Sequence, residues 1–358
     1  MPLVDLKHDV VSFDYDLTPH FLHLDPSEPH KRAFIVANRH KLEAALLRQI
    51  EAAHREKPID VFFSYFYNAC ATPETIRAIA DMGITTVNWF CNAAYQFHLV
   101  SEIAPAYHFS LVPEVYRLDD YRRVGANPIY CQMAANPSIY HPHDVPLEFD
   151  VVFVGQKYGD RPTYIRRLLD AGIPTRVWGP GWLPPTTTMT TSEIWRNRLR
   201  LLTTPAGWSA ILRQLSPAPA IPTGERVNVP PSICGPALDD DALIEMYSRA
   251  RIHLGFSSVG ETHASGERIL QVRLRDFEAP MSGAFYMVEY MPELETFYDV
   301  QKEVVCYRSA DDLVEKARYY LDHADEREEI RQAGLARAMR DHTWHRRFEV
   351  AFAEMGFK

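Results

Sequence analysis

Glu278 opens the chemistry of this chain. It stands in a short helical pattern, Phe277-Glu278-Ala279, which a turn at Ser282-Gly283 separates from the apolar run Ala284 to Val288. A carboxylate at a helix start, just before a glycine that lets the backbone approach a ligand, suits recognition of vicinal ribose hydroxyls. The same carboxylate can instead pair with Arg273 or Arg275. Arg268 is close by, and any of these three arginines can meet a phosphate or pair with Glu267, Asp276 or Glu278.

A second constellation is the loop Gly155-Gln156-Lys157-Tyr158-Gly159-Asp160-Arg161, set between the apolar run Asp150 to Val154 and a helical pattern from Pro162 to Ala171. Free N–H groups and the helix dipole at such a junction favour an anion, and Lys157 and Arg161 add charge-assisted bonds to a diphosphate. The alternative is a solvated turn. A third is Gly260 to Gly266, after the apolar run Arg251 to Ser257. Loops at the carboxyl ends of parallel strands face the ligand crevice, which makes Glu261, Thr262 and His263 candidates for a sugar or a phosphate, with a plain surface loop as the alternative.

Other signals are weaker. Asp14-Tyr15-Asp16 has the form of a metal-binding D-x-D but has no nucleotide-binding unit before it, and Asp239-Asp240-Asp241 reads as the N-cap and first-turn acids of a helix to Ala250. The 15 histidines form no H-E-x-x-H. Neither G-x-G-x-x-G nor G-x-x-x-x-G-K-[ST] occurs, which disfavours dehydrogenases and P-loop enzymes.

The elements that must position these residues read as two alternating α/β halves. Apolar runs at Val10 to Phe13, Ile59 to Phe63, Thr85 to Trp89, His108 to Leu111 and Ile129 to Cys131 predict buried parallel strands, with helices at Ala33 to Arg55 and Thr72 to Met82. Thr72 before Pro73 predicts an N-cap with proline at the first helical position. Asn136 to Pro146, with three prolines in eleven residues, predicts an interdomain hinge. The second half then reads as strand, loop, helix and the strand Thr175 to Gly179, with Gly172 closing the helix. Residues 182–232 form a less regular insert whose amphipathic helix, Ser192 to Leu215, interleaves Trp195, Trp208 and arginines. It suits an anionic membrane surface, an acceptor or second subunit, or simple packing.

Composition bounds the function. With 358 residues, 46% hydrophobic and 24% charged, the chain has room for two ordinary domains. The net charge of -9 argues against a nucleic-acid partner. Five scattered cysteines without a C-x-x-C pair fit a reduced cytoplasmic protein, and no apolar run approaches the roughly 20 residues of a membrane span. The amino terminus lacks a signal-peptide pattern.

The stretch 274–289 resembles the donor-nucleotide motif of GT-B glycosyltransferases of the group 1 type, and most of all their spore-maturation glycosyltransferase-like branch. Asp239 to Ala250 with the strand after it, Glu293 to Tyr307, and the tail 328–347 with His342-Thr343-Trp344 resemble the same family. The resemblance implies two Rossmann-like doubly wound domains facing across a cleft: an acceptor domain at 1–143 with its first βα unit missing or altered, a donor domain at 144–341, and a helix at 342–358 that returns to the first domain. It implies transfer of a sugar from a nucleotide diphosphate-sugar to a sugar, protein or small-molecule acceptor, with no metal or other cofactor. A nucleotide-sugar epimerase or hydrolase, or a non-catalytic nucleotide-binding assembly protein, shares the architecture. Site residues implied for the donor are Gly155, Lys157, Arg161, Arg273, Arg275, Glu278 and Gly283. The segment Asn88 to Asn92 resembles the family's tryptophan-containing segment, which puts Trp89 and Asn92 on the acceptor side. Asn92 cannot serve as a base, so no catalytic base is assigned. The wider family carries a second glutamate eight residues before Glu278, where this chain has Leu270.

Overall fold

The computed structural model describes residues 2–183, 227–260 and 268–357. The expected helix Ser192 to Leu215 and the candidates Glu261, Thr262 and His263 lie outside them. The described chain forms two compact units. The first holds Met1–Ile139, Gln271–Glu278 and Ala338–Lys358, and the second Tyr140–Leu270 and Ala279–Arg337. The boundary at 139/140 lies inside the proline-rich segment. Residues 271–278, read from sequence as part of the second half, fold with the first unit.

The first unit is built on a parallel sheet in the order β1 (Val61–Ser64), β2 (Thr85–Trp89), β3 (Phe109–Val112) and β4 (Pro128–Tyr130). Its order runs in one direction only, so β1 is an edge. The apolar run Val10 to Phe13 is not a strand: its backbone is irregular, and Phe13 and Tyr15 stack on each other and pack on the core through their side chains. One face of the sheet is covered by the helix Pro29–Glu56, whose Ile35, Leu42, Leu46 and Ile50 fall on one stripe, and by Ile76 and Ile79 of the helix Pro73–Ala80. Thr72 caps that second helix by accepting a bond from Thr75 N–H. The other face, with Val87, Leu111, Ile129 and Cys131, is closed by Ala351 and Met355 of the carboxyl-terminal helix Trp344–Glu354. Phe348 of that helix meets Phe63 edge to face, and Trp344 meets Trp89.

The second unit has a six-stranded parallel sheet from β5 (Phe149–Val154), β6 (Thr175–Trp178), β7 (Cys234–Gly235), β8 (Ala250–Gly255), β9 (Tyr286–Glu289) and β10 (Val305–Tyr307). The order is β10-β9-β8-β5-β6-β7. The chain thus starts in the middle, winds to one edge, returns to the middle and winds to the other. Adjacent β5 and β8 make the topological switch point, outside whose carboxyl ends ligands bind in such sheets. Near-continuous burial of β5, β8 and β9 matches strands covered on both faces. Both sheets are α/β parallel sheets, the architecture of the GT-B fold.

Candidate active site

In the second unit, β5 feeds the loop 155–160 and the helix Arg161–Asp170. Gly155 N–H donates to the Trp178 carbonyl at 2.7 Å, and the Gly155 carbonyl accepts from Trp182 Nε1 at 2.6 Å. Gly179 sits against this carbonyl with φ +139°, and a Cβ there would lie 2.3 Å from the Gly155 oxygen. Gly155 is therefore held by β6 and Trp182, and the close backbone approach is one of protein to protein.

Arg161 and Lys157 part company. The Arg161 guanidinium is buried: it donates to the Gln156 carbonyl at 2.9 Å and to Tyr158 Oη, lies 3.7 Å over the Tyr158 ring, and also faces Phe153 and Phe256. It braces the loop from beneath. Lys157 fixes its own N–H on the Pro180 carbonyl and carries its ammonium 5.8 Å over the Trp182 ring, where it is half-buried.

A buried carboxylate that the sequence did not single out stands at the end of β9. Glu289 Oε2 accepts from the backbone N–H of Ser257 and of Ser258, each at 3.1 Å, and the Ser257 hydroxyl donates to the Glu289 carbonyl at 2.8 Å. Glu289 Oε1 lies 2.5 Å from Arg268 Nη2, and the same nitrogen lies 2.9 Å from Asp160 Oδ2. Burial pushes the Glu289 carboxyl above its ordinary value, while Arg268 and the two N–H groups pull it down. Burial likewise raises Tyr164, while Arg268 pulls it down. One guanidinium on the segment that returns after β8 thus ties the end of β9 to the start of the helix after β5, beside the switch point.

Gly283 is not at that end of the sheet. It closes the helix Arg275–Met281 with φ +76°, its N–H on the Pro280 carbonyl, before β9 begins. A Cβ would fall 2.9 Å from Pro142 Cγ and 3.0 Å from Arg331 Nη1, which itself donates to the Gly283 carbonyl. Its backbone approaches Pro142 and Arg331.

Arg273, Arg275 and Glu278 lie in the first unit with Trp89 and Asn92. Gln271 Nε2 donates to the Cys91 carbonyl at 2.7 Å and to Glu114 Oε1 at 2.9 Å, which fastens the segment 271–278 to the ends of β2 and β3. Asp276 Oδ2 accepts from Arg273 N–H at 2.7 Å, and Phe277 is fully buried against His342 and the Arg347 guanidinium. Glu278 follows as a buried carboxylate. Trp89 donates from Nε1 to the Cys131 carbonyl, and Asn92 Nδ2 donates to Tyr65 Oη, which also meets Cys91 Sγ at 3.3 Å. Burial raises the Cys91 thiol and the Tyr65 phenol, so both are neutral near pH 7.

Asp14 and Asp16 are exposed, and Asp16 Oδ1 accepts from Thr18 N–H. Among the described residues no three His, Cys, Asp or Glu side chains cluster as a metal site would, and no helix is long and apolar enough to cross a membrane. All five cysteines are free thiols.

A family model described as glycosyl transferase-like matches residues 161–353, more than half of the chain. The chain belongs to this family. The glycosyltransferase also shares its fold with solved structures. HepE from Anabaena in complex with UDP and glucose is 9% identical with a TM-score of 0.53, over 88% of this chain and 82% of that one. A glycosyltransferase from Rickettsia africae ESF-5 is 8% identical with a TM-score of 0.51, over 98% and 85%. At these identities the likeness is one of GT-B architecture. No curated protein sequence matches significantly.

Proposed function

We propose that this glycosyltransferase moves a sugar from a nucleoside diphosphate-sugar, with UDP as the nucleotide, to a hydroxyl acceptor without a bound metal. The observation that carries the reading is the switch point between β5 and β8, where a strand, a glycine-started loop and a ten-residue helix lie beside a buried carboxylate–arginine cluster. The UDP and glucose found with HepE support uridine as the base. In the reaction the acceptor oxygen bonds to the anomeric carbon, the bond from that carbon to the diphosphate oxygen breaks, and the acceptor proton passes to solvent or a base. The protein's part is to meet the charge that develops on the leaving diphosphate with fixed donors, a task that needs no metal.

In the second unit the Lys157 ammonium meets the diphosphate, and in the first unit Glu278 is the candidate for a ribose hydroxyl. Trp89 and Asn92 belong to the acceptor side, where an indole face and an amide suit a sugar or another polar ring. The residues Arg275-Asp276-Phe277-Glu278 and the acidic run Glu293 to Glu295 favour the spore-maturation-like branch. The protein works in the cytoplasm, with peripheral membrane contact or self-association through residues 192–215. Incubation with UDP-sugars and simple glycoside acceptors, read by mass spectrometry, tests the reading. Transfer supports it; an epimerised or hydrolysed donor with no glycosylated product points to the other enzymes of this architecture.

A further inference from the structure

Arg268 occupies a position that its sequence context does not announce. After β8 the chain runs to Val259 and returns at Ile269, where Val259 N–H donates to the Ile269 carbonyl at 2.9 Å and Ser258 bridges Leu270 in antiparallel fashion. This clip fixes the Arg268 backbone at the carboxyl end of β8. Its guanidinium then reaches the end of β9 and the start of the helix after β5 through a single nitrogen, Nη2, 2.5 Å from Glu289 Oε1 and 2.9 Å from Asp160 Oδ2.

We propose that Arg268 is the guanidinium that binds the donor diphosphate, and that Glu289 and Asp160 are positioning residues that aim it; this rests on the nucleotide-sugar reading above. A guanidinium has five N–H donors. The two carboxylates both use Nη2, so an edge of the fork remains for an anion, and the side chain is 34% exposed. Planar, bidentate presentation of this kind matches phosphate oxygens.

The two carboxylates are costly unless they serve this end. Asp160 occupies the N-cap of the helix Arg161–Asp170 yet caps none of its N–H groups. It turns to Arg268 instead, and its Oδ1 is buried with no hydrogen-bond partner. Glu289 is buried at the end of a strand whose other residues are apolar or aromatic, and it spends one oxygen on the Ser257 and Ser258 N–H groups so that the other can hold Arg268. Anchored from two sides, the guanidinium loses little freedom when an anion arrives, which is the condition for strong charge-assisted binding. Arg161, enclosed by Tyr158, Phe153 and Phe256, reaches an anion only by unpacking, and Lys157 on the same loop supplies the second cation.

The test is calorimetric titration of the full chain with UDP and, separately, with uridine. Arg268→Gln should weaken UDP binding by about 10- to 100-fold, leave uridine unchanged and so erase the preference for the diphosphate, with Arg268→Lys in between. Since Arg268→Gln strands a buried Glu289, the double variant Arg268→Gln/Glu289→Gln removes charge and counter-charge together and is checked for cooperative unfolding first. A folded double variant that binds UDP as tightly as the wild type overturns the proposal, as does equal loss of UDP and uridine affinity. A wild-type chain that binds uridine but gains nothing from the diphosphate overturns it too. A wild type that binds neither UDP nor any other nucleoside diphosphate overturns the donor reading itself.

Discussion

Replacing Gly283 by alanine separates two roles that the sequence leaves open for this glycine, a turn and a place where backbone meets ligand. The structure gives φ +76° there, a conformation that costs an L-residue with a Cβ about 1–2 kcal/mol. The new methyl group would also stand 2.9 Å from Pro142 Cγ and 3.0 Å from Arg331 Nη1. Pro142 is rigid, and Arg331 is held by its bonds to the Gly283 carbonyl and to Glu328, so neither yields freely. Crowding of this kind adds about 1–3 kcal/mol. The sum, roughly 2–5 kcal/mol, corresponds to a fall in the melting temperature of roughly 4–20 °C for a domain of this size. Urea and thermal unfolding measure it, and UDP titration well below the transition measures binding on the same samples. Because Gly283 precedes β9 while Glu289 ends it, the folded variant should keep its UDP affinity. A stability within about 0.5 kcal/mol of the wild type, together with a more than tenfold loss of UDP affinity, would refute the turn assignment and restore the ligand role.

Glu278→Gln should weaken donor binding by about 1–3 kcal/mol in calorimetry without unfolding the protein, through loss of charge-assisted hydroxyl bonds; unchanged affinity would remove Glu278 from the site. Turnover should persist in EDTA, and loss of activity that manganese or magnesium restores would contradict the metal-free reading. Glu328, bonded by Arg331 and Gln332, has its carboxyl drawn down to about 2. A folded-state value below the unfolded one gives stability that is whole above the ordinary 4.5 and is lost as pH falls through about 2. The side chain is half exposed, so Glu328→Gln should cost only about 0.5 kcal/mol at pH 6 and less at pH 3; a difference that does not shrink on acidification would contradict the ion-pair account.

The second unit was the more legible in sequence. Its strands β5 and β9 are largely apolar runs between turn residues, and Asp239 does cap its helix by accepting from Ala242 N–H. The same rule fails at Val10 to Phe13. A short apolar run says that side chains are buried, not that the backbone pairs, and here Phe13 and Tyr15 enter the core from an irregular segment. Arg161 looked like an anion ligand because its type and place at a helix start fit one. Tyr158 and Phe153 from the preceding loop and strand, with Phe256 brought in from β8's end by the sheet, enclose it, and local pattern cannot show that. Glu289 escaped notice for the converse reason. An acid after a buried strand reads as the first residue of a turn, and only the Ser257 and Ser258 N–H groups, brought beside it by the sheet, reveal a designed anchor. The available signal was its position at the carboxyl end of a parallel strand, where acids are candidates for a site.

The decisive measurement is the stoichiometry of the reaction itself: UDP released against glycosylated acceptor formed, across UDP-sugars and acceptors, on the same purified chain. One UDP for each sugar transferred, with no product when the acceptor is withheld beyond slow donor hydrolysis, is the expected result. Consumption of the donor that is independent of acceptor, yielding an epimer or free sugar, or tight UDP binding with no turnover on any donor, would contradict it.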